Sequence, residues 1–266
     1  MQNIPLIEKM ARLSDSLNQS LTGKHILIRM YEKGGNFTLY QKNIDRKVVP
    51  ASTAKIFLLD RLLNSNIDMD EYLEVTEDDV RKGSGNNLKV GELYRVQDLI
   101  KNLMIASSNT SAAVLRKYLE KVQDYNFISY INQYNSTRGM INTHLVNEHG
   151  LADRLQYTTL SDLKIILDAK LTDARFQAMS NITEHVFYSK SGDEIRVKNT
   201  YESELKNKIT AVKTGTLVPG IFNILIFFKL EKCKGYIVDF YNENIELRNK
   251  DITNALMIIQ KWSDEK

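Results

Sequence analysis

Two apolar runs near the C-terminal end set the frame for this chain: Gly220-Ile221-Phe222-Asn223-Ile224-Leu225-Ile226-Phe227-Phe228 and Tyr236-Ile237-Val238-Asp239-Phe240-Tyr241. Each has the length of a strand, and a Lys/Gly turn separates them. Near-continuous apolar runs of this length predict strands covered on both faces. At the opposite end, His25 to Tyr31 and Asn36 to Tyr40 flank Lys33-Gly34-Gly35 and predict a β-hairpin. Shorter strands are expected at His185 to Ser189, Glu194 to Val197 and Ile209 to Val212. Strands from both chain ends can join one sheet if the middle of the chain is inserted between them as a helical block.

That middle reads as helices. Leu99, Ile100, Leu103 and Met104 give a helical spacing to Val96 through Ile105, and a second helix is expected from about Ser111 to Val122. Further helices are predicted at 126–135, from Thr158 onward with Thr159 and Asp162 as a cap pair, and at 173–182. Met10, Leu13, Leu17 and Leu21 continue the spacing begun at Ile7 and predict an amphipathic helix over 4–21, ending near Gly23. A closing helix is expected from about Asp251 to Trp262. The stretch His25 to Tyr31 follows charged, amphipathic sequence, so the N-terminus does not read as a signal peptide. No window reaches transmembrane length. The expectation is a cytoplasmic protein as written, or an extracytoplasmic one if a leader has been removed.

Composition excludes several classes. The chain has 266 residues, 42% of them hydrophobic, enough for one large domain or two intimate ones. Its 36 basic residues are scattered among 33 acidic ones, so no nucleic-acid-binding stripe appears. The single Cys233 rules out an intrachain disulfide and a cysteine metal cluster. The four histidines lack metal-ligand spacing, and neither a metal nor a cofactor is expected. A monomer acting on a small substrate is the expectation.

Chemistry enters at Val49-Pro50-Ala51-Ser52-Thr53-Ala54-Lys55. On a helix, positions three apart share a face, so Ser52 Oγ and Lys55 Nζ can meet. A serine hydroxyl needs a neighbour to take its proton, and a lysine with a lowered pKa can do so. Alone, the pair also fits an ordinary helix start with Ser52 as cap and Lys55 solvated. Ser203-Glu204-Leu205-Lys206 repeats the pattern in a polar stretch. Ala106-Ser107-Ser108-Asn109-Thr110 breaks the helical middle and can point a hydroxyl and an amide into a cleft. Ser84-Gly85-Asn86 is its rival. Ser107 and Asn109 are preferred because two apolar helices hold their corner rigidly. Lys213-Thr214-Gly215-Thr216 follows the strand that ends at Val212.

Ser52-x-x-Lys55, Ser107-x-Asn109 and Lys213-Thr214-Gly215, in that order, resemble the penicillin-recognising serine hydrolases, with Ser108 in place of the Asp of Ser-Asp-Asn. The resemblance covers most of the chain. It implies an α/β fold of the α+β kind like that of β-lactamases and transpeptidases: an antiparallel sheet from both chain ends, flanked by helices, with an inserted all-helical subdomain. The implied organisation is one catalytic domain, 1–266, with residues of about 1–56 and 184–266 around the sheet and about 57–183 in the helical part. Gly139-Met140, Asn142-Thr143 and Asn147-Glu148-His149-Gly150-Leu151 look like the D-Ala-D-Ala carboxypeptidase branch. Leu103-Met104-Ile105, with Gly83-Ser84-Gly85 upstream, is similar to class A β-lactamases.

The resemblance implies roles. Ser52 is the nucleophile and Lys55 its base. Ser107 relays a proton to the leaving nitrogen, Asn109 holds a substrate amide, and Lys213 with Thr214 binds a carboxylate. Backbone N–H groups of Ser52 and Thr216 form the oxyanion hole. Gly215 leaves room for an extended peptide along the strand. Lys198-Asn199 stands where the branch usually carries Arg-Asn, which makes Lys198 a candidate carboxylate partner. Glu148 is a candidate deacylation base, but Ala152 replaces the Asn of the class A Glu-x-x-Leu-Asn pattern. The leading expectation is therefore a serine D,D-peptidase acylated by β-lactams. Alternatives are a class A β-lactamase, a non-catalytic β-lactam- or peptidoglycan-binding protein, and a cytoplasmic acyl hydrolase or acyltransferase.

Overall fold

A computed structural model describes residues 6–32, 35–181 and 183–265. Its elements begin with helix α1 (Leu6–Ser20) and strands β1 (His25–Glu32) and β2 (Gly35–Lys42). Two residues of the expected hairpin turn, Lys33 and Gly34, lie outside the described residues, as do positions 4 and 5 of the first helix and Ile182. A 3-10 turn, Ala51–Ala54, then runs directly into α2 (Lys55–Leu63). The middle of the chain holds β3 (Tyr72–Glu74), β4 (Leu93–Arg95), α3 (Val96–Ile105), α4 (Asn109–Gln123), α5 (Phe127–Thr137), α6 (Leu160–Lys170) and α7 (Ala174–Ser180). After β5 (Glu184–Tyr188) and β6 (Glu194–Lys198) come β7 (Ile209–Leu217), β8 (Ile221–Lys229), β9 (Lys234–Asn242) and α8 (Ile245–Asp264).

The main sheet has the order β2-β1-β9-β8-β7, with every neighbouring pair antiparallel. Both chain ends supply its strands, as their apolar runs require. Side chains alternate between its faces with period two. Ile26, Ile28, Met30, Ile224, Ile226 and Phe228 pack with Leu13 and Leu17 of α1 and Ile252, Leu256 and Ile259 of α8. Leu27, Leu225, Phe227, Val238 and Phe240 point the other way and pack with Phe57, Leu58, Leu163, Leu167 and Phe176 from the helices. The sheet is thus a wall between two apolar cores. The inserted middle also carries a two-stranded ribbon, β3 with β4, and β5 pairs with β6 in another.

α1 and α8 lie side by side and antiparallel. Lys9 Nζ donates to the carbonyl of Glu265 at 3.3 Å, and Asn254 Nδ2 donates to the carbonyl of Ser20 at 3.3 Å. Near their far end, Asp239 of β9 is fully buried beside Asp251 of α8. Asp251 Oδ2 accepts from the backbone N–H groups of Thr22 at 2.6 Å and Gly23 at 3.0 Å. Burial first, and then the Asp251 charge, push the Asp239 carboxyl well above the usual range.

Two boundaries differ from the sequence expectation. β7 continues past Val212 to Leu217, so Lys213 through Thr216 belong to the strand, where β8 pairs with them from Leu225 to Phe222. α8 starts at Ile245, well before Asp251, because Asn244 caps it: its Oδ1 accepts from Leu247 N at 2.8 Å. That earlier start carries Arg248 into the first turn.

Candidate active site

The turn bearing Ser52 is fixed from three sides. Pro50 precedes it, and Thr53 closes it by donating N–H and Oγ1–H to the Pro50 carbonyl at 3.3 and 2.6 Å. From the sheet, Asn223 Nδ2 donates to the carbonyls of Val49 at 3.0 Å and Pro50 at 3.2 Å. Two glycines permit close approach. A Cβ on Gly215 would lie 2.9 Å from the Pro50 oxygen, and one on Gly150 would lie 2.0 Å from the Ala51 oxygen. Gly150 also has φ +88, a left-handed conformation that disfavours other residues.

Lys55 begins α2 immediately after this turn and is fully buried. Its Nζ donates to Ser52 Oγ at 3.1 Å, Asn109 Oδ1 at 2.7 Å and the His149 carbonyl at 2.6 Å. No carboxylate bonds it directly among these contacts. Burial lowers its pKa well below the ordinary lysine value, the nearby Lys213 charge lowers it further, and Glu148 opposes the shift. The positive end of the α2 dipole acts in the same direction as burial. A lysine in this setting can accept a proton from the serine hydroxyl one turn before it.

Ser107 lies at the sharp corner between α3 and α4, with φ 58. Ser108 caps α4, its Oγ accepting from Ser111 N at 3.0 Å. The corner is further tied by Asn102, whose Nδ2 donates to Ser111 Oγ at 3.0 Å. Lys213, also buried, reaches across from β7 and donates to Ser107 Oγ at 2.8 Å and the Thr214 carbonyl at 2.9 Å. Burial, with the Arg248 charge second, brings the Lys213 pKa down to about 7. The fold encloses the Lys213 side chain rather than leaving it solvated at the strand end. Asn109 uses both ends of its amide within the protein: Oδ1 accepts from Lys55, and Nδ2 donates to the Lys82 carbonyl at 2.8 Å.

These groups open onto a pocket of about 250 Å³ lined by Ser52, Ser84, Ser107, Thr200, Thr214, Thr216, Ile245 and Arg248. Three serines, three threonines and a buried guanidinium converge there, and no carboxylate is among them. Arg248 is held by Asn249 Oδ1, to which Nε and Nη2 donate at 3.1 and 2.9 Å. Thr200 Oγ1 and Thr214 Oγ1 share a hydrogen bond of 2.6 Å. A hydroxyl-lined pocket with buried cations suits an anionic, hydrogen-bonding ligand.

The model of the D-alanyl-D-alanine carboxypeptidases matches residues 16–219, spanning both lysines and both serines of the site. The chain belongs to that family. Over 198 residues it is 26% identical to the D-alanyl-D-alanine carboxypeptidase DacC of Escherichia coli strain K12, covering 70% of this chain and 49% of that protein. Over 233 residues it is 22% identical to DacF of Bacillus subtilis strain 168, covering 85% of this chain and 60% of that one. The chain thus spans about half to three-fifths of the length of these relatives. The crystal structure of the Streptomyces K15 DD-transpeptidase shares its fold, with a TM-score of 0.78 at 22% identity over 90% of this chain and 97% of that one. DacD of Francisella tularensis superposes with a TM-score of 0.76 at 18% identity, over 91% of this chain and 71% of that one.

Within this carboxypeptidase family member, the residues singled out in the sequence are not all brought together. Lys198 is exposed and lines a different, larger cavity of about 650 Å³, with Asn199, Tyr201, Ser203 and Lys206. That cavity contains neither Ser52 nor Ser107, so the smaller pocket is the chemical one. Thr200, two residues on, enters the pocket instead. The decoy pair Ser203 and Lys206 forms a surface turn, with Ser203 Oγ accepting from Leu205 N at 3.0 Å. Gly215 gives its open side to the Ser52 turn rather than to an incoming peptide. Glu148 is absent from the pocket lining, and its Oε2 is paired with Arg116 Nε at 3.3 Å.

Ser84 and Ser107, treated as rivals in the sequence, line the same pocket. The Ser84 carbonyl accepts from Asn109 N at 3.1 Å, and a Cβ on Gly85 would lie 2.4 Å from Ser108 Cα. Sequence reasoning missed Arg248, Ile245 and Thr200. Asn244 followed by Glu246 was a usable helix-start signal for the first two. Thr200 had none.

Proposed function

We propose that this chain is a serine D,D-peptidase that cleaves peptides ending in D-Ala-D-Ala through an acyl-enzyme on Ser52, and that β-lactams acylate the same serine. The carrying observation is the buried Lys55 Nζ at 3.1 Å from Ser52 Oγ, with its charged form disfavoured. Neutral Lys55 takes the Ser52 proton as Oγ attacks the penultimate D-Ala carbonyl. The developing oxyanion is held by the backbone N–H groups of Ser52 and Thr216. As the C–N bond breaks, Ser107 Oγ–H gives its proton to the leaving amine and is reprotonated from Lys213 at 2.8 Å. Water then attacks the ester carbonyl and gives a proton to Lys213 by way of Ser107, while the Lys55 ammonium returns its proton to Ser52 Oγ as the ester C–O bond breaks, which restores both lysines.

Arg248, which lines the pocket with Thr214 and Thr216, is the partner for the substrate's terminal carboxylate. Asn109 orients Lys55 and retains an N–H for the acyl-side amide. Thr200 supports Thr214. This reading takes 1–266 as one catalytic domain, with the residues around 57–183 forming one wall of the cleft.

Glu148, the residue that matches the class A deacylation pattern, is paired with Arg116 and does not line the pocket, which supports the peptidase over a class A β-lactamase. The test has two arms. D-alanine release is followed from a diacyl-L-Lys-D-Ala-D-Ala peptide, and the intact mass is followed over time with benzylpenicillin. D-alanine release with a lasting adduct is the expected result. Rapid loss of the adduct with penicillin turnover identifies a β-lactamase. No release and no adduct overturn both.

A further inference from the structure

We propose that the Glu148–Arg116 ion pair positions the general base: Glu148 holds the loop and the field that face Lys55, and Arg116 limits that field. The inference rests on the reading of Lys55 as base.

The geometry begins on α4. Asn109 and Arg116 are seven residues apart, two turns along one helix face. Asn109 bonds Lys55 directly at 2.7 Å, and Arg116 pairs with Glu148 at 3.3 Å. Glu148 immediately precedes His149, whose carbonyl accepts from Lys55 at 2.6 Å. One helix face therefore grips the base at two points, once by an amide and once through the loop. Arg116 is itself steadied by Glu120, Nη1 to Oε2 at 2.6 Å. The loop beyond is pinned by Asn147, whose Oδ1 accepts from Gly150 N at 2.7 Å and Gln156 Nε2 at 3.1 Å.

The charged groups around Lys55 come from each element that packs on it. β7 supplies Lys213 and the loop supplies Glu148 and His149, while Arg116 of α4 stands one step further out, against Glu148. Arg81, in the segment before Gly83, faces His149. Burial holds the His149 pKa down to about 4, so above that pH it carries no charge. Glu148 is then the group that favours the Lys55 ammonium, against Lys213 and burial. Without a partner, the buried Glu148 would favour the Lys55 ammonium more strongly. Arg116 offsets it.

The two halves of the pair thus have opposite effects on the base, which a merely structural pair would not. The experiment is the pH profile of benzylpenicillin acylation of the full chain, with E148Q, R116Q, R116K and the E148Q/R116Q double variant. An opposite charge within about 4–6 Å moves a pKa by about one to three units. The acid limb is expected to move down by about one pH unit in E148Q and up in R116Q. The double variant, again without net charge at this place, falls between them, and R116K stays at the wild-type position. Shifts of E148Q and R116Q in the same direction, or loss of rate with the limb unmoved, overturn the proposal. If E148Q does not fold, R116Q against R116K still decides it: an unmoved limb in R116Q refutes the offset. Failure of the base assignment is a separate result, seen as retained acylation in Lys55→Met.

Discussion

Lys213 Nζ stands 2.8 Å from Ser107 Oγ, and both side chains are buried. The lysine of the strand motif is therefore engaged with a serine before any substrate arrives, and in the proposed reading the substrate carboxylate is left to Arg248, which lines the pocket. Losing a charged hydrogen-bond partner costs about 1.5–3 kcal/mol, roughly ten- to a hundredfold in rate. Arg248→Ala should lower kcat/KM by about that factor for a substrate with a free C-terminal carboxylate, and much less for its amide. Lys213→Ala should lower both alike, because its partner Ser107 serves either substrate. Paired acid and amide kinetics on the two variants check this. Equal losses on acid and amide in Arg248→Ala would remove it from carboxylate recognition.

Ser52 and Lys55 act in one step, so their removal should not add. Ser52→Ala and Lys55→Met should each abolish measurable acylation by benzylpenicillin, and the double variant should be no slower than either. Intact mass measured against time reads this directly. A penicilloyl adduct on Ser52→Ala at the normal rate would refute the nucleophile.

Gly150→Ala tests the support of the nucleophile turn. The new methyl would meet the Ala51 carbonyl at 2.0 Å from a left-handed backbone. Strained backbone of this kind costs about 1–3 kcal/mol. The variant should lose about 1–3 kcal/mol or more of unfolding free energy and acylate more slowly, while Gly192→Ala, whose Cβ would meet nothing within 4 Å, should lose only its backbone share. Chemical denaturation of both variants separates the steric part.

The buried Asp239 predicts a pH dependence of stability. Its folded pKa lies well above the ordinary value of 3.8, so in between the folded state keeps a proton that the unfolded state has released. Stability is then full below 3.8 and is lost as pH rises through the folded pKa. Asp239→Asn, which carries no titrating proton and can donate to Asp251, should gain over the parent as pH rises. Thermal unfolding at about pH 4 and about pH 8 should show the larger gain at the higher value. A constant difference would mean that Asp239 does not titrate in this range.

Much of the architecture was legible because near-continuous apolar runs state a strand covered on both faces. The structure then divides them by alternation, Ile224 and Ile226 into one core and Leu225 and Phe227 into the other. The site was less legible. Ser52 and Lys55 are close in sequence, and helical spacing suffices to bring them together. Lys213 and Ser107 are separated by 106 positions, and only a family pattern joined them. Arg248 carries no motif at all; its place depends on Asn244 starting a helix and on which way that first turn faces. Lys198 failed for the opposite reason. A local match to a family pair put it in the site, but a strand's alternation and a two-residue offset gave the place to Thr200. Glu148 resembled a catalytic carboxylate by sequence, yet it is paired with Arg116, which no local pattern connects to it.

The antiparallel lie of α1 and α8 has a mechanical consequence. Lys9 meets Glu265, and Ser20 meets Asn254, so the start of α1 and the end of α8 lie at the same end of the pair. Tension applied between those two points would peel the pair open like a zipper, contact by contact, rather than shear it as a unit. Opening would begin at Glu265, about 25 Å along α8 from Arg248 at 1.5 Å per residue. The outer helix layer would yield first, and the guanidinium at the pocket would be among the last parts of that layer to feel the pull.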